Sequence, residues 1–295
     1  MITRLLPILI LVGCATSQPK KGYDIGDIKN DDFKKIEKVS YSSADDRFKQ
    51  VESDLTDALN EESIQRVFTY GGSVEVKGVL GEIGKLCYEN KFKEAFILVK
   101  INNKAYNDNP IFWTQVGTCY LLEGNSRKAL LFYNRALGIK GDYAPALNNL
   151  GVMYMRENDF SRALVAFERA RKNTAFGRTP RFNLANLYLS FGLYQQAESH
   201  LLTLSQVSKK DVDVLNMLGT SYLMQGKADL AIKNFENIDS DFLENPKFGI
   251  NYALALYMGG RPDRARDVLD DVKQKDLRQW KDYYKSVSKF IGGKK

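Results

Sequence analysis

Residues 110–143 read PIFWTQVGTCYLLEGNSRKALLFYNRALGIKGDY, and this stretch sets a pattern that the surrounding chain repeats. Two small residues, Gly117 and Ala129, lie twelve positions apart within it. In two antiparallel helices joined by a short turn, such a pair stands where the backbones approach most closely, and a larger side chain would not fit there. The stretch therefore predicts a helical hairpin whose seam is filled by neighbouring apolar side chains.

The alanine of this hairpin recurs at intervals of 34 residues along the chain. The series comprises Ala95, Ala129, Ala163, Ala197, Ala231 and Ala265. Twelve residues before these alanines stand Ile83, Gly117, Gly151, Ala185, Gly219 and Ala253. Prolines 110, 145, 180, 246 and 262 fall where helices of successive units should begin. The period predicts six consecutive helical hairpins over residues 76–279.

A 34-residue unit with small, large and aromatic residues at these positions resembles the tetratricopeptide repeat. The resemblance implies an all-α fold, a right-handed α-solenoid of about six repeats with capping helices at both ends. Its repeats would be residues 76–109, 110–143, 144–177, 178–211, 212–245 and 246–279. The first repeat, with Ile83 in place of a small residue, and the sixth, with Gly249 at its fourth position, depart from the pattern.

The first fourteen residues, MITRLLPILILVGC, combine one arginine, a short apolar run and a cysteine. The run is too short to span a bilayer as a permanent helix and has the form of a secretory signal. Its last four residues resemble the lipobox of bacterial lipoproteins, which implies a signal peptide over residues 1–13 and lipidation of Cys14. An ordinary signal peptide, or a membrane anchor with an incidental cysteine, is the alternative. Because Ala15 follows the cysteine, the resemblance favours the outer membrane, with the chain facing the periplasm.

The segments that flank the repeats have different compositions. Residues 14–44 are mostly polar, which predicts a lipidated cysteine followed by a flexible linker. Over residues 45–75, Phe48, Val51, Leu55 and Leu59 follow helical spacing and predict N-terminal capping helices. A degenerate extra repeat and a docking element for a partner are the alternatives. Similar spacing near the end predicts a C-terminal capping helix over residues 280–295.

The charge of the chain is unevenly distributed. Residues 24–70 contain 12 acids and 7 bases, a net charge of −5, whereas residues 71–295 contain 33 bases and 24 acids, a net charge of +9. The two parts could attract one another, and the basic part could meet an acidic partner, a lipid headgroup or an anionic glycan. A solvated surface is the plainer interpretation. The export signal, rather than the charge, argues against nucleic acid as a partner.

Motifs for catalysis, metal binding or a cofactor are not found in the sequence. The chain has one histidine, His200, and contains no CxxC pair, no GxxxxGK loop and no HExxH helix. We therefore predict that the protein is not an enzyme and uses neither a metal nor a cofactor. Cys87 and Cys119 are expected to be buried free thiols, although a disulfide between them is possible in an oxidising periplasm.

The first helix of each repeat is the predicted binding surface. In the family that the sequence resembles, this helix lines a concave groove and often carries an asparagine at its sixth position. The corresponding peptide-binding residues would be Gln115, Asn148, Asn149, Phe182, Asn183, Asn186, Asn216 and Asn251. A carboxamide donates and accepts at once, so such a series can hold the backbone of an extended peptide. Changing Asn149, Asn183 and Asn251 together to alanine would then weaken binding and leave the fold intact. Hydrogen bonds to water or to neighbouring helices are the alternative role.

A lipobox, a linker and about six repeats together resemble the tetratricopeptide-repeat lipoproteins, in particular those of type IV pilus assembly, the pilotins. The resemblance implies a non-enzymatic outer-membrane scaffold that binds a polypeptide partner, either an extended peptide or a secretin-like subunit. A regulator of peptidoglycan synthases or hydrolases is an alternative, as is a component of a gliding-motility complex.

Overall fold

The computed structural model describes residues 78–172, 177–207 and 209–292. Its helices are numbered here in chain order: α1 Gly78–Tyr88, α2 Phe92–Asn102, α3 Pro110–Leu122, α4 Ser126–Ile139, α5 Ala144–Arg156, α6 Phe160–Arg171, α7 Arg178–Ser190, α8 Tyr194–Val207, α9 Val212–Met224, α10 Ala228–Phe235, α11 Ser240–Leu243, α12 Pro246–Met258, α13 Pro262–Asp271 and α14 Lys281–Gly292. Two short 3₁₀ helices, Gln274–Asp276 and Arg278–Trp280, precede α14. The signal peptide, Cys14, the linker and the N-terminal capping helices, all predicted within residues 1–75, lie outside the described residues.

The 34-residue period of the sequence reappears in the helix boundaries. First helices begin at residues 110, 144, 178, 212 and 246, and second helices begin at residues 92, 126, 160, 194, 228 and 262. Within the pairs α1–α2, α3–α4, α5–α6, α9–α10 and α12–α13 the helices pack on each other. Because only three residues join each pair, the two helices run antiparallel. The prediction of an all-α fold built from tetratricopeptide-like hairpins is confirmed.

A residue with a left-handed backbone follows the first helix of every repeat. It stands at residues 90, 124, 158, 192, 226 and 260, with φ between 60° and 91°. Glycine occupies four of these positions, and Asn90 and Asn158 occupy the other two. Glycine and asparagine adopt this conformation at the lowest cost, so local sequence decides where the chain reverses.

Prolines and polar caps fix the starts of the first helices. Pro110 and Pro246 are the first residues of α3 and α12, where a missing N–H removes no helical hydrogen bond. The side chain of Asn109 accepts hydrogen bonds from the backbone N–H groups of Ile111 and Phe112 at 2.8 and 3.4 Å. The start of α3 is thus determined by its own residues.

The predicted small residues lie where the helices of a hairpin meet. All six alanines of the 34-residue series are fully buried. A β-carbon added at Gly117 would come within 2.7 Å of the Tyr133 ring, and one added at Gly219 within 2.6 Å of the Phe235 ring. An aromatic ring therefore packs directly on the bare backbone of the first helix, and a larger residue would displace it.

Gly249, which departs from the repeat pattern at the fourth position of the sixth repeat, is explained by a neighbouring helix. The second helix of the fifth repeat, α10, is only eight residues long, and the short helix α11 follows it. A β-carbon at Gly249 would collide with the carbonyl oxygen of Leu243 in α11 and would lie 2.8 Å from Val272 Cγ2. Glycine at this position therefore gives α11 room to pack on α12.

The C-terminal helix α14 covers the last hairpin. It packs on α12 and α13, and its residues Tyr283, Val287 and Ile291 are buried in one core with Trp280. Each hairpin of a repeat array buries its apolar face only against a neighbour. Helix α14 takes the place of that neighbour for the sixth repeat.

The described helices form two compact subdomains, an N-terminal one ending at residue 183 and a C-terminal one beginning at residue 184. The boundary falls inside α7. The repeat alone did not predict this division, because its period continues unbroken through α7.

Candidate functional site

Carboxamide and hydroxyl side chains form a hydrogen-bonded chain inside the N-terminal subdomain. Asn183 Nδ2 donates to Asn148 Oδ1 at 2.8 Å, and Asn148 Nδ2 donates to Asn149 Oδ1 at 3.1 Å. Asn149 Nδ2 donates to Thr118 Oγ1 at 3.0 Å, and this oxygen lies 3.2 Å from the Tyr133 hydroxyl. We call these five residues the N-terminal network. It joins the first helices α3, α5 and α7 through their side chains.

The C-terminal subdomain contains a second network with the same register. Asn251 Nδ2 lies 3.0 Å from Asn216 Oδ1 and 3.3 Å from Thr220 Oγ1. Tyr283 of α14 donates its hydroxyl to Asn251 Oδ1 at 2.9 Å. We call these four residues the C-terminal network. In both networks the asparagine pair is separated by 35 residues and the asparagine–threonine pair by 31, so the repeat fixes the polar contacts as well as the packing.

The residue at the ninth position of the preceding repeat determines whether Asn149, Asn183 and Asn251 find a hydroxyl group to bond. Where it is Thr118 or Thr220, the carboxamide finds a hydroxyl. For Asn183 the corresponding residue is Val152, and Asn183 Oδ1 has no hydrogen-bond partner among the described residues. A buried acceptor without a partner costs about 1–3 kcal/mol. Asn183 is therefore the least satisfied member of the N-terminal network.

The predicted peptide-binding residues are mostly enclosed by the fold. Asn183 has no exposed surface, and Gln115, Asn148, Asn149, Phe182, Asn216 and Asn251 expose 8% or less. Asn186 is half-buried. The buried asparagines already form hydrogen bonds with neighbouring helices, so a peptide would have to compete with these bonds. Alanine at these positions should therefore lower the free energy of unfolding, whereas the sequence led us to expect an intact fold. Their peptide-binding role stays a prediction.

Burial keeps the tyrosine hydroxyls of both networks protonated. Desolvation raises the pKa of Tyr133 above its ordinary range, and the hydrogen bond with Thr118 offsets only part of this effect. Desolvation likewise raises the pKa of Tyr283. Since burial disfavours the phenolate, both side chains remain neutral hydrogen-bonding groups at neutral pH.

Cys87 and Cys119 form a disulfide bond between α1 and α3. Their Cα atoms lie 5.0 Å apart, which is within the usual range for disulfides, and both residues are fully buried. The expectation of two free thiols is therefore wrong, because packing of successive first helices brings the two side chains together. Their separation of 32 residues, two short of the repeat, did not indicate this approach.

A buried ion pair is a further feature that the sequence did not indicate. Lys247 of α12 donates to Oδ1 of Asp213 in α9, and Asp213 exposes only 1% of its surface. The other carboxylate oxygen of Asp213 has no hydrogen-bond partner in the described part of the chain. Removal of one member of such a pair leaves an uncompensated buried charge. The pair therefore holds the starts of the two first helices in register.

The more accessible part of the predicted groove lies in the C-terminal subdomain. Met217, Met224, Met258 and Asn186 are half-buried and stand on first helices at positions that line the groove in the family. We call these four residues the methionine face. Thioether side chains adapt to apolar partners of different shape, and a free carboxamide group can hold a backbone unit. The methionine face therefore offers contact groups that do not belong to either network.

The described residues form neither a metal site nor a membrane span. Within 78–172, 177–207 and 209–292, no group of three or more histidine, cysteine, aspartate or glutamate side chains is placed to hold a metal ion. No helix in this part of the chain is both long and apolar enough to cross a bilayer. His200 stacks on the Tyr188 ring with centroids 5.6 Å apart.

These features define a protein of tandem helical hairpins, the class of scaffold that binds other polypeptides. The family model described as tetratricopeptide repeat matches residues 148–205 and 216–276. Over these residues the chain is similar to tetratricopeptide repeats.

Known proteins with related folds come from different assemblies. The structure of the anaphase-promoting complex hetero-tetramer Cut9–Hcn1 has a TM-score of 0.54 at 15% identity, over 84% of this chain and 52% of that chain. PilW, a type IV pilus biogenesis factor, has a TM-score of 0.53 at 17% identity, over 66% of this chain and 92% of that chain. At these identities the likeness shows the fold alone.

A curated relative is similar in sequence over part of its length. Anaphase-promoting complex subunit 3 of Schizosaccharomyces pombe is 26% identical over 137 residues, which are 46% of this chain and 20% of that protein. The chain thus spans about a fifth of the length of this relative. The similarity therefore concerns a segment of that protein and not the whole of it.

Proposed function

We propose that this protein is a non-enzymatic scaffold, anchored by lipid to the outer membrane and facing the periplasm, which binds a polypeptide partner during assembly of a cell-envelope machine. The tetratricopeptide repeats support the binding role, because stacked hairpins present extended surfaces to other chains. A type IV pilus or secretin-like machine is the proposed setting, and the similar fold of PilW, a type IV pilus biogenesis factor, is compatible with it.

The disulfide between Cys87 and Cys119 supports the periplasmic location in this proposal. Disulfides form and persist in oxidising compartments and are rare in the reducing cytosol. The sequence of residues 1–14 independently has the form of an export signal that ends in a lipidation site at Cys14. A structural feature and a sequence feature thus support the same location.

We place the partner contact on the methionine face. The asparagines of the two networks already bond to neighbouring helices, whereas Met224 and Met258 are half-buried and belong to neither network. Such side chains favour a partner segment with apolar residues. Asn186 can add a hydrogen bond to a backbone group of that segment.

Export and lipidation are tested together in cells. The wild-type protein should incorporate a palmitate analogue and fractionate with the outer membrane, whereas the Cys14→Ser variant should do neither. Under denaturing conditions Cys87 and Cys119 should resist alkylation until a reductant is added. Acylation of the Cys14→Ser variant, or alkylation of both thiols without reductant, would contradict the location.

The partner is identified by crosslinking in cells, affinity capture and mass spectrometry. Met224→Glu with Met258→Glu should lower recovery of the partner about tenfold or more, because a charge replaces an apolar contact on each of two helices. Leu230→Glu, at an exposed apolar residue of α10, is the matched control and should leave recovery unchanged. Recovery of a secretin or other pilus components would support the proposal. Recovery of peptidoglycan synthases or hydrolases instead would assign the protein to cell-wall regulation.

A further inference from the structure

An apolar stripe crosses the second helices of the N-terminal subdomain. Ile97, Leu131 and Val165 stand at the same position of three consecutive repeats and expose 59%, 62% and 59% of their surfaces. We call these residues the outer stripe. Equivalent positions of consecutive repeats face the same side, so the three side chains form a row. Large apolar side chains exposed in a row are typical of an interaction surface.

The outer stripe ends after the third repeat. The same position is occupied by Ser199, Lys233 and Asp267 in the fourth, fifth and sixth repeats. A requirement of the repeat fold would make the position apolar in all six repeats. The repeat fold therefore does not require the apolar residues of the outer stripe.

Basic side chains border the outer stripe. On α2, Lys93 and Lys100 stand about one turn before and after Ile97 and are exposed. On α4, Lys128 is exposed one turn before Leu131 and lies over an aromatic ring. These bases outnumber the single exposed acid Glu94 on the same turns. A partner that fits this surface has an apolar face bordered by carboxylates.

Residues 45–62 of the same chain have this composition. They contain seven acids and two bases, and Phe48, Val51, Leu55 and Leu59 follow helical spacing. We propose that this segment, which lies outside the described residues, docks on the outer stripe as an amphipathic helix. Its apolar face would cover the stripe, and the acids that flank this face at helical spacing, Asp45 and Glu52, would lie beside the lysines of α2 and α4.

The connection to the first repeat is long enough for this docking. Residues 63–77 form a link of 15 residues, which reaches about 50 Å when extended. The link has to pass α1 and α2, whose diameters are about 10 Å each. Docking therefore needs no strain in the link. It would also shorten the free tether after Cys14 to residues 15–44.

Photocrosslinking in the full chain, purified in detergent, tests the docking. A benzophenone side chain at Leu131 should crosslink to residues 45–62 of the same molecule, with a yield independent of protein concentration. The same group at Leu230, an exposed apolar residue of the C-terminal subdomain, is the control and should not reach this segment. Crosslinks from Leu131 to a second copy, to another protein or to a different segment would overturn the proposal.

Charge reversal provides a second test that does not depend on the probe. Asp45→Lys with Glu52→Lys should lower the intramolecular crosslink yield about tenfold, because at helical spacing these two acids would flank the apolar face, and repulsion replaces attraction at the border of the stripe. Adding Lys93→Glu and Lys100→Glu should restore the yield. Circular dichroism of each variant verifies that the helical fold is retained. A yield insensitive to the first pair, or not restored by the second, would refute the charge-matched docking.

Discussion

Substitution of Asn251 by alanine tests whether the C-terminal network stabilises the fold. Asn251 exposes 6% of its surface and bonds to Asn216, Thr220 and Tyr283. Its truncation leaves Asn216 Oδ1 without this donor and the Tyr283 hydroxyl without its acceptor. An unpaired buried polar group costs about 1–3 kcal/mol. Two such groups should lower the free energy of unfolding by about 3 kcal/mol.

Urea unfolding followed by tryptophan fluorescence measures each subdomain separately. The chain has two tryptophans, Trp113 in the N-terminal subdomain and Trp280 in the C-terminal one. In a Trp113→Phe background the signal therefore comes from Trp280, and in a Trp280→Phe background it comes from Trp113. With a denaturant slope of about 1.5 kcal/mol per molar, Asn251→Ala should move the Trp280 midpoint down by about 2 M. The Trp113 midpoint should stay unchanged.

Two further variants control this measurement. Asn186→Ala changes a half-buried asparagine outside the network in the same subdomain, so the free energy of unfolding should stay within about 0.5 kcal/mol of the wild type. Adding Tyr283→Phe to Asn251→Ala should recover part of the lost stability, because it removes the unpaired hydroxyl. An unchanged Trp280 midpoint in Asn251→Ala, or an equal shift of both midpoints, would refute the reasoning.

Three other perturbations address the repeat itself. Gly151→Ala should lower the free energy of unfolding by about 1–3 kcal/mol, because its β-carbon would collide with the aromatic ring packed there, whereas Gly138→Ala, at an open helical position, should raise it by about 0.5–1 kcal/mol. Thermal unfolding of the pair measures the difference, and equal melting temperatures would contradict the close packing. Asn158→Ala should cost about 1 kcal/mol at its φ of 60°, while Asn158→Gly should cost less; the reverse order in the same assay would be inconsistent with a left-handed turn. Loss of the cross-link in Cys87→Ala with Cys119→Ala should cost about 3–4 kcal/mol for a separation of 32 residues, and an unaltered urea midpoint of the N-terminal subdomain would argue against the disulfide.

The sequence by itself determined the repeat, its period and the ends of its helices. Three features depend only on the geometry of one hairpin: glycine or asparagine at the left-handed positions, proline at helix starts and the buried alanines. These local requirements recur in every hairpin, so they appear in the sequence as a periodic pattern. The sequence also marked Gly249 as a departure, but its cause, the close approach of α11, is visible only in the fold.

The tertiary structure alone decided how the candidate site residues are buried and paired. Gln115 and the asparagines stand at the predicted positions of the first helices, yet the fold encloses most of them and joins Asn148, Asn183, Asn216 and Asn251 to neighbouring helices. The disulfide between Cys87 and Cys119 belongs to the same category. Burial and pairing depend on how far neighbouring hairpins stand from one another, and a period along one chain fixes the order of hairpins but not the distance between them.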